Sequence, residues 1–481
     1  INTMWNGCYS LIQRAQMARK YIAGMKNISE DYRNNALGEV MFNEAFAYFL
    51  LVRAYGEVPL KEVSLLDGGS PDAARAPIAD VFEHITKLLE EATGLLYHRD
   101  SAKFQLGHVS AASAAGLLAK VYATMASAAM PAGTQIVVRT GEPFEEVDGV
   151  NYHKGLTNFT FDKNVVAGYE NMDAMELYQK SAYWAKRVID GDFGQHSLLP
   201  YEQLWKRSSN NEPEFMFSLQ AVNGMEVYSN TIHNYYIGTM QSAGSDVIIE
   251  GHWVGNTTHW YKLFEKQDLR IVEGVQHRFR YTYNVEDEQA MYYPNDAEWT
   301  LKATGYDENG NKVADPVAPF NDGLQYYCNT GAECLAFTTK YQDVADASTK
   351  FTDTQWPFLR YADVLLIYAE AMCETDHSDV AVEYLNKVRA RSLASAATDP
   401  GDRVKLRSLI IEERAKELAC EGDRRWDLLR WGIYLQAMNA IGGRDECNNY
   451  KSRTERNLLY PIPQDEVNSN KLINSNNPGW N

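Results

Sequence analysis

The stretch Leu409–Gly432 reads LIIEERAKELACEGDRRWDLLRWG. Ile411, Ala415, Leu418 and Gly422 recur at the step of a helix face. Around them stand Glu412, Glu413, Glu417, Glu421, Asp423 and Asp427. Carboxylates at this density invite an active-site reading, because glycoside hydrolysis uses a carboxylate pair. Such a pair sits on opposed elements, with one carboxyl desolvated. Here most of the acids share one helix, each with a cation in reach. Glu421 stands four residues before Arg425, and Arg424 three before Asp427, the spacing of ordinary helix ion pairs. The run therefore reads as a self-paired helical junction, with Trp426 and Trp431 docking the helix end.

Upstream, Leu37, Met41, Ala45, Tyr48, Val52 and Tyr55 form a helical stripe whose neighbouring faces are apolar too (Phe42, Phe46, Phe49, Leu50), so this helix is expected to be buried on most sides. Gly56 and Pro59 end it. Val81, Ile85, Leu88, Ala92 and Leu95 make the next stripe, opened by Pro77, where proline is tolerated. Ala111, Ala115, Leu118, Tyr122 and Met125 follow, flanked by small residues that let another helix approach closely. Leu177, Ser181, Trp184 and Val188 make a fourth, stopped at Gly191. Helices return with Tyr361, Val364, Tyr368 and Ala371, then Ala381, Leu385, Val388 and Ser392. Antiparallel helix pairs with small contact residues are the currency of tetratricopeptide (TPR) repeats, although the strict repeat consensus is absent.

Between about Pro200 and Pro357 the helical period fades. Glu214–Gln220 (EFMFSLQ) alternates like a strand. Asn223–Trp299 carries His233, Tyr235, Tyr236, His252, Trp253, His259, Trp260, Tyr281, Tyr283, Tyr292, Tyr293 and Trp299. Aromatics borne on loops over a helical scaffold are where binding usually resides. The bland alternative is that they pin long loops to that scaffold.

At 481 residues, 45% hydrophobic and 23% charged, the chain is an ordinary globular protein with a large core. Its net charge of −18 would repel phosphate backbones, which argues against nucleic acid. No apolar run is long enough to span a membrane. The 30 tyrosines and 10 tryptophans exceed what the core alone requires, and their flat faces suit sugar rings or peptides. The six cysteines lack zinc spacing; Cys373 and Cys420 read as buried thiols, while Cys328 and Cys334 are close enough in sequence to pair. His233, His252 and His259 form no close-spaced ligand motif, Asp268 and Arg270 read as a structural pair, and no Walker loop or G-x-S-x-G elbow appears. No cofactor, metal site or catalytic residue is expected.

Several segments, taken in order, resemble the SusD/RagB family of nutrient-binding outer-membrane lipoproteins. They are Glu44–Leu60 (EAFAYFLLVRAYGEVPL), Gly107–Tyr122, Tyr178–Gly191, Tyr201–Trp205, Glu214–Leu219, Leu263–Arg270 (LFEKQDLR), Pro357–Ala371 (PFLRYADVLLIYAEA), Glu412–Gly432 and Tyr460–Val467 (YPIPQDEV). The resemblance implies a mainly α, TPR-like helical-hairpin scaffold with minor β structure. Residues 1–200 and 355–481 would form one SusD-like domain, with 201–354 a loop-rich ligand-binding region. It further implies a non-catalytic oligosaccharide-binding protein at the cell surface, serving a SusC-like TonB-dependent transporter in the outer membrane. Attachment would be through an N-terminal lipid, which these residues do not contain; Cys8 lies within a helix-like stretch and is no lipidation site. The expected sugar contacts are Trp253, Trp260, Tyr283, Tyr292 and Trp299. The competing readings are an all-helical glycoside hydrolase with a carboxylate pair in the loops, and a TPR-type adaptor that binds peptide.

Overall fold

A computed structural model describes residues 2–141, 145–147, 150–152, 155–238, 251, 253–281, 289–293, 305–306, 312–313, 326–328, 335–440 and 452–480. Five helices open the chain: α1 (Asn2–Gly24), α2 (Glu30–Tyr55), α3 (Ile78–Leu95), α4 (Ala111–Ala129) and α5 (Ala174–Ile189). Each packs on the next in sequence. As its composition requires, α2 is buried nearly all round in its second half, from Met41 to Tyr55. Gly56 ends it at φ +71°, with its N–H returned to the Val52 carbonyl. Pro77 caps α3, whose buried stripe runs Val81, Ile85, Leu88, Ala92. The alanine-rich α4 is the central helix, with every residue from Ala111 to Ala128 buried. Its small side chains let α3, α5 and a later helix close in on it. A side chain at Gly116 would already lie 3.0 Å from both Leu359 and Met216. On α5 the buried face runs Leu177, Ser181, Ala185, Val188, and Trp184 stands at its edge, half-buried.

The chain then leaves the scaffold through α6 (Tyr201–Leu204) and a strand, Phe215–Leu219. The short helices α7 (Ile232–Tyr236), α8 (Thr258–Lys262) and α9 (Leu269–Val272) follow. Next comes a three-stranded sheet with Gln289–Tyr292 between Arg278–Tyr281 and Tyr326–Cys328. This region has a small core of its own, around Tyr261, Phe264, Ile271, Tyr293 and Phe337. It re-enters through Trp356–Arg360, which runs antiparallel to Phe215–Leu219 with Trp356 opposite Leu219. Exit and return strands thus lie side by side. A second antiparallel pair, Gln135–Gly141 with Leu156–Asp162, was not evident in the sequence.

Helices α10 (Tyr361–Glu374), α11 (Ser378–Arg391), α12 (Arg403–Glu417), α13 (Arg424–Arg430) and α14 (Tyr434–Ala440) complete the scaffold. Although the whole insert separates them in sequence, α10 packs on α5. The mainly α, hairpin-built architecture expected from sequence is the one observed. The tail clips onto the end of α2, where Asn477 Nδ2 donates to the carbonyls of Tyr55 and Tyr460 at 2.9 and 2.7 Å.

The Leu409–Gly432 run is structural, but its pairing differs from the local scheme. Glu421 is bound by Arg360 and Lys340 rather than Arg425. Asp427 takes Arg414 and Arg430, while Arg424 donates to the Ile411 carbonyl and Arg425 to Tyr434 Oη and the Asn457 carbonyl. The acids point inward, not along the helix surface. Burial of a charge is tolerated only with a bonded counter-charge, and those counter-charges come from remote segments.

Candidate functional site

Two buried ion networks account for most of the acids that first invited a catalytic reading. In one, Arg360 joins Glu214, Glu417 and Glu421. Arg391 joins Glu214 and Glu417, and Arg270 joins Asp268, Glu413 and Glu417. The expected Asp268–Arg270 pair is present at 2.7 Å and nearly inaccessible to solvent. In the other, Lys120 lies 2.9 Å from both Asp363 and Asp423, and Arg414 and Arg430 share Asp427. Burial would raise the Glu417 and Asp427 carboxyls, but the facing arginines outweigh it and hold both well below the usual carboxylate range. Carboxylates clamped in this way donate no proton near neutrality and face no open space.

The histidines are likewise committed. His233 is buried, its Nδ1 set 2.7 Å from the Tyr341 carbonyl, and burial lowers its pKa, which keeps the ring neutral. His259 is buried over the strand end, where its ring fills the space a side chain at Gly141 would need. Among the described residues no group of three or more histidine, cysteine or acidic side chains is placed to hold a metal ion. His252 lies outside the described residues, as do Tyr283, Trp299 and Cys334; for Tyr292 and Cys328 only the backbone, paired in the three-stranded sheet, is described.

Of the expected sugar contacts, Trp253 and Trp260 can be placed, and they are placed differently. Trp260 is half-buried: its Nε1–H donates to the Ala415 carbonyl at 2.9 Å, and its ring meets Phe264 edge-on at 4.7 Å. It ties the insert to α12. Trp253 is 61% exposed. Beside it runs α7, because the Val254 N–H donates to the Tyr235 carbonyl at 2.8 Å. Tyr235 is itself 50% exposed. The inner side of α7 is fixed from behind. His233 is bonded as above, Asn230 Nδ2 donates to the Thr354 carbonyl at 2.8 Å, and Tyr236 packs on Tyr341 and Trp356. Tyr341 and Trp356 are in turn stacked, at 5.1 Å and 16°. The neighbouring loop adds an exposed Tyr228, with Val222, Met225 and Val227 also at the surface. The result is an apolar, aromatic-rich rim on an immobilised base. Exposed apolar area gathered in one place marks a binding surface. Tyr228 and Tyr235 were not among the expected contacts. A helix as short as α7 has no period from which to read which tyrosine faces out.

A polar cleft of about 360 Å³ lies elsewhere on the insert, lined by Tyr201, Glu202, Trp205, Glu273, Gln276 and Asp343 among others. Trp205, at its wall, is already engaged by four neighbours. Lys340 Nζ and the Arg360 guanidinium sit 4.8 and 5.1 Å from its ring centre, and Phe215 and Tyr341 meet it edge-on.

Known proteins resemble this chain in sequence and in fold. Residues 201–480 match the profile of the SusD family, and residues 1–123 match a profile described as starch-binding, associating with the outer membrane. SusD-like protein P2 of Formosa agariphila is 25% identical over the whole chain and 81% of its own length. The starch-binding protein SusD of Bacteroides thetaiotaomicron is 26% identical over 34% of the chain and 27% of its own length. The fold matches a SusD superfamily crystal structure from Parabacteroides distasonis with a TM-score of 0.66 and 22% identity, covering 100% of this chain and 86% of that one. A laminarin-binding SusD-like protein superposes with a TM-score of 0.61 and 20% identity, over 100% of this chain and 86% of that one. With more than half of its length matched, from α6 through the C-terminal helices and tail, the chain belongs to the SusD family.

Proposed function

We propose that this protein binds an oligosaccharide without turning it over and delivers it to a SusC-like TonB-dependent transporter at the surface of the outer membrane. The observation that carries the reading is the exposed Tyr235 and Trp253, presented on a base fixed from behind. Sugar rings stack their C–H faces on such aromatics, and an open rim suits capture followed by release. Relatives named for binding starch and laminarin support a polysaccharide ligand, and the profile matched by residues 1–123 supports the outer-membrane setting. Trp253, Tyr283, Tyr292 and Trp299 are the proposed sugar contacts together with Tyr235, while Trp260 ties the insert to α12.

The test is calorimetric titration and affinity electrophoresis against a panel of malto-, laminari- and other oligosaccharides, with chromatography of the sugar recovered afterwards. Retardation with the sugar intact supports the proposal. Turnover at enzyme-like rates overturns it in favour of a hydrolase. The polar cleft is where such activity would lie, because Glu202, Glu273 and Asp343 all line it. Loss of turnover in Glu202→Gln or Asp343→Asn would place it.

A further inference from the structure

The scaffold contains a second cavity, with no lining residue in common with the aromatic rim. It has a volume of about 270 Å³ and lies between the end of α2, the segment Asn164–Tyr169 and the α13–α14 junction. Its walls are mostly apolar, with Ile78, Tyr169, Trp426, Leu429, Leu435 and Leu458 among them. An engineered apolar cavity of about 150 Å³ takes up benzene, so this one has room for a larger body.

One wall carries a guanidinium. Arg53 lies 4.0 Å over the Phe49 ring and 5.1 Å from the Trp426 ring centre. Its Nε is sealed from solvent and has no hydrogen-bond partner. The acids whose field reaches it, Asp423, Asp427 and Asp363, are bonded instead to Lys120, Arg414 and Arg430. Glu455 reaches the cavity wall but is solvent-exposed. Burial pulls the Arg53 pKa down to about 10, against the pull of those aspartates. A half-buried guanidinium without a bonded carboxylate is a costly arrangement, and arginine is the side chain best shaped to take a carboxylate with two parallel bonds.

We infer that this cavity is a binding site for a carboxylate carried on an apolar body, with the carboxylate on Arg53 and the body among Tyr169, Trp426 and the surrounding leucines. Two sources share that chemistry: a free aliphatic or aromatic acid, and an aspartate beside an apolar residue in a polypeptide. The full chain is titrated with 4-phenylbutyrate, with its neutral analogue 4-phenylbutanol, and with a blocked leucyl-aspartyl peptide beside its leucyl-asparaginyl counterpart. Calorimetry and the change in intrinsic tryptophan fluorescence report binding. At least one acid binds ten times or more tighter than its neutral analogue, and Arg53→Met removes that preference while glycan binding at the rim is unchanged. Preference for the free acid assigns a small-molecule site, and preference for the peptide acid assigns a polypeptide site. Equal binding of acid and neutral analogue in both arms, or no binding in either, overturns the inference. The comparison of acid with analogue is made on the unaltered protein, so it stands even if Arg53→Met fails to fold.

Discussion

Replacing Glu417 with glutamine tests whether the family-marking run acts as a buried charge socket. The Glu417 carboxylate accepts from Arg360 Nη2 at 3.1 Å, from Arg391 Nη2, and from Arg270 Nη1 at 3.4 Å. All four side chains are almost completely buried. Glutamine keeps the shape and one carbonyl acceptor. It also removes a unit of negative charge and turns an NH₂ group toward guanidinium donors. Breaking a buried pair by neutralising one partner costs about 3–5 kcal/mol, because the other charge stays behind. The upper half of that range is expected, since three guanidinia lose their shared partner. Against a total stability of about 5–15 kcal/mol, the change is a large one.

Urea unfolding followed by tryptophan fluorescence and far-ultraviolet circular dichroism measures it. The double variant Glu417→Gln/Arg391→Met, which also removes the surplus cation, should recover at least half of the loss. The pH dependence has a definite sign. The Glu417 carboxyl is held below its unfolded value of about 4.3. Its contribution is therefore complete above that pH and declines as pH falls below it, so the gap between wild type and Glu417→Gln narrows below about pH 4. A loss under about 1 kcal/mol, the worth of a solvated pair, would show that water reaches this cluster and that the socket reading is wrong.

Other predictions follow from neighbouring features. Trp253→Ala should weaken glycan binding about tenfold with the melting temperature nearly unchanged; Trp260→Ala, which loses the bond to Ala415 and the Phe264 contact, should cost about 2–3 kcal/mol of stability, and the reverse pattern would exchange their roles. His196 is buried with Nδ1 2.6 Å from the Pro213 carbonyl, and burial pulls its pKa down to about 4; its contribution is complete above about pH 6.5 and is lost as pH falls toward 4, by at most about 3 kcal/mol, so His196→Gln should flatten the wild-type stability slope in that window, and an unaltered slope would refute the assignment. Gly141→Ala would place a Cβ 1.9 Å from the His259 ring; moving that ring should cost about 1–3 kcal/mol, and an unchanged unfolding midpoint would show that the ring moves freely.

The scaffold was legible because long helices repeat their signal. The stripes of α3 and α5 each repeat over about four or five turns and fix a face, the length of α2 and α4 marks helices buried on most sides, and family segments at both ends of the chain agree with them. Short elements carry no such redundancy. In the five residues of α8, nothing in the spacing says that Trp260 turns toward Ala415. In α7 nothing says that Tyr235 turns out while Tyr236 turns in. The strand Gln135–Gly141 is legible only with its partner Leu156–Asp162, which lies beyond a stretch without pattern. The ion pairs failed locally for a related reason. Glu421 and Arg425 stand at helix spacing, but α12 ends at Glu417 and the chain turns through Cys420 at φ +62° and Gly422 at φ +87° before α13 begins at Arg424, so the spacing no longer describes one face.

The networks also explain how a loop region with a modest core of its own can present a defined rim. The insert supplies Glu214, Asp268, Arg270 and Lys340; the C-terminal segment supplies Arg360, Arg391, Glu413, Glu417 and Glu421. Apolar surfaces tolerate sliding, whereas each of these charges is satisfied in one relative placement. The same placement seats Tyr341, whose hydroxyl donates to the Cys420 carbonyl at 2.8 Å and whose ring backs Tyr236 beneath the exposed Tyr235. A chain of contacts therefore runs from the Leu409–Gly432 run to the rim. Hydrogen exchange checks it: in Glu417→Gln the amides of α7 and of Val254 should exchange faster than in wild type, while those of α3 stay protected. Unchanged protection in α7 would separate the socket from the rim and leave the run a matter of scaffold stability alone.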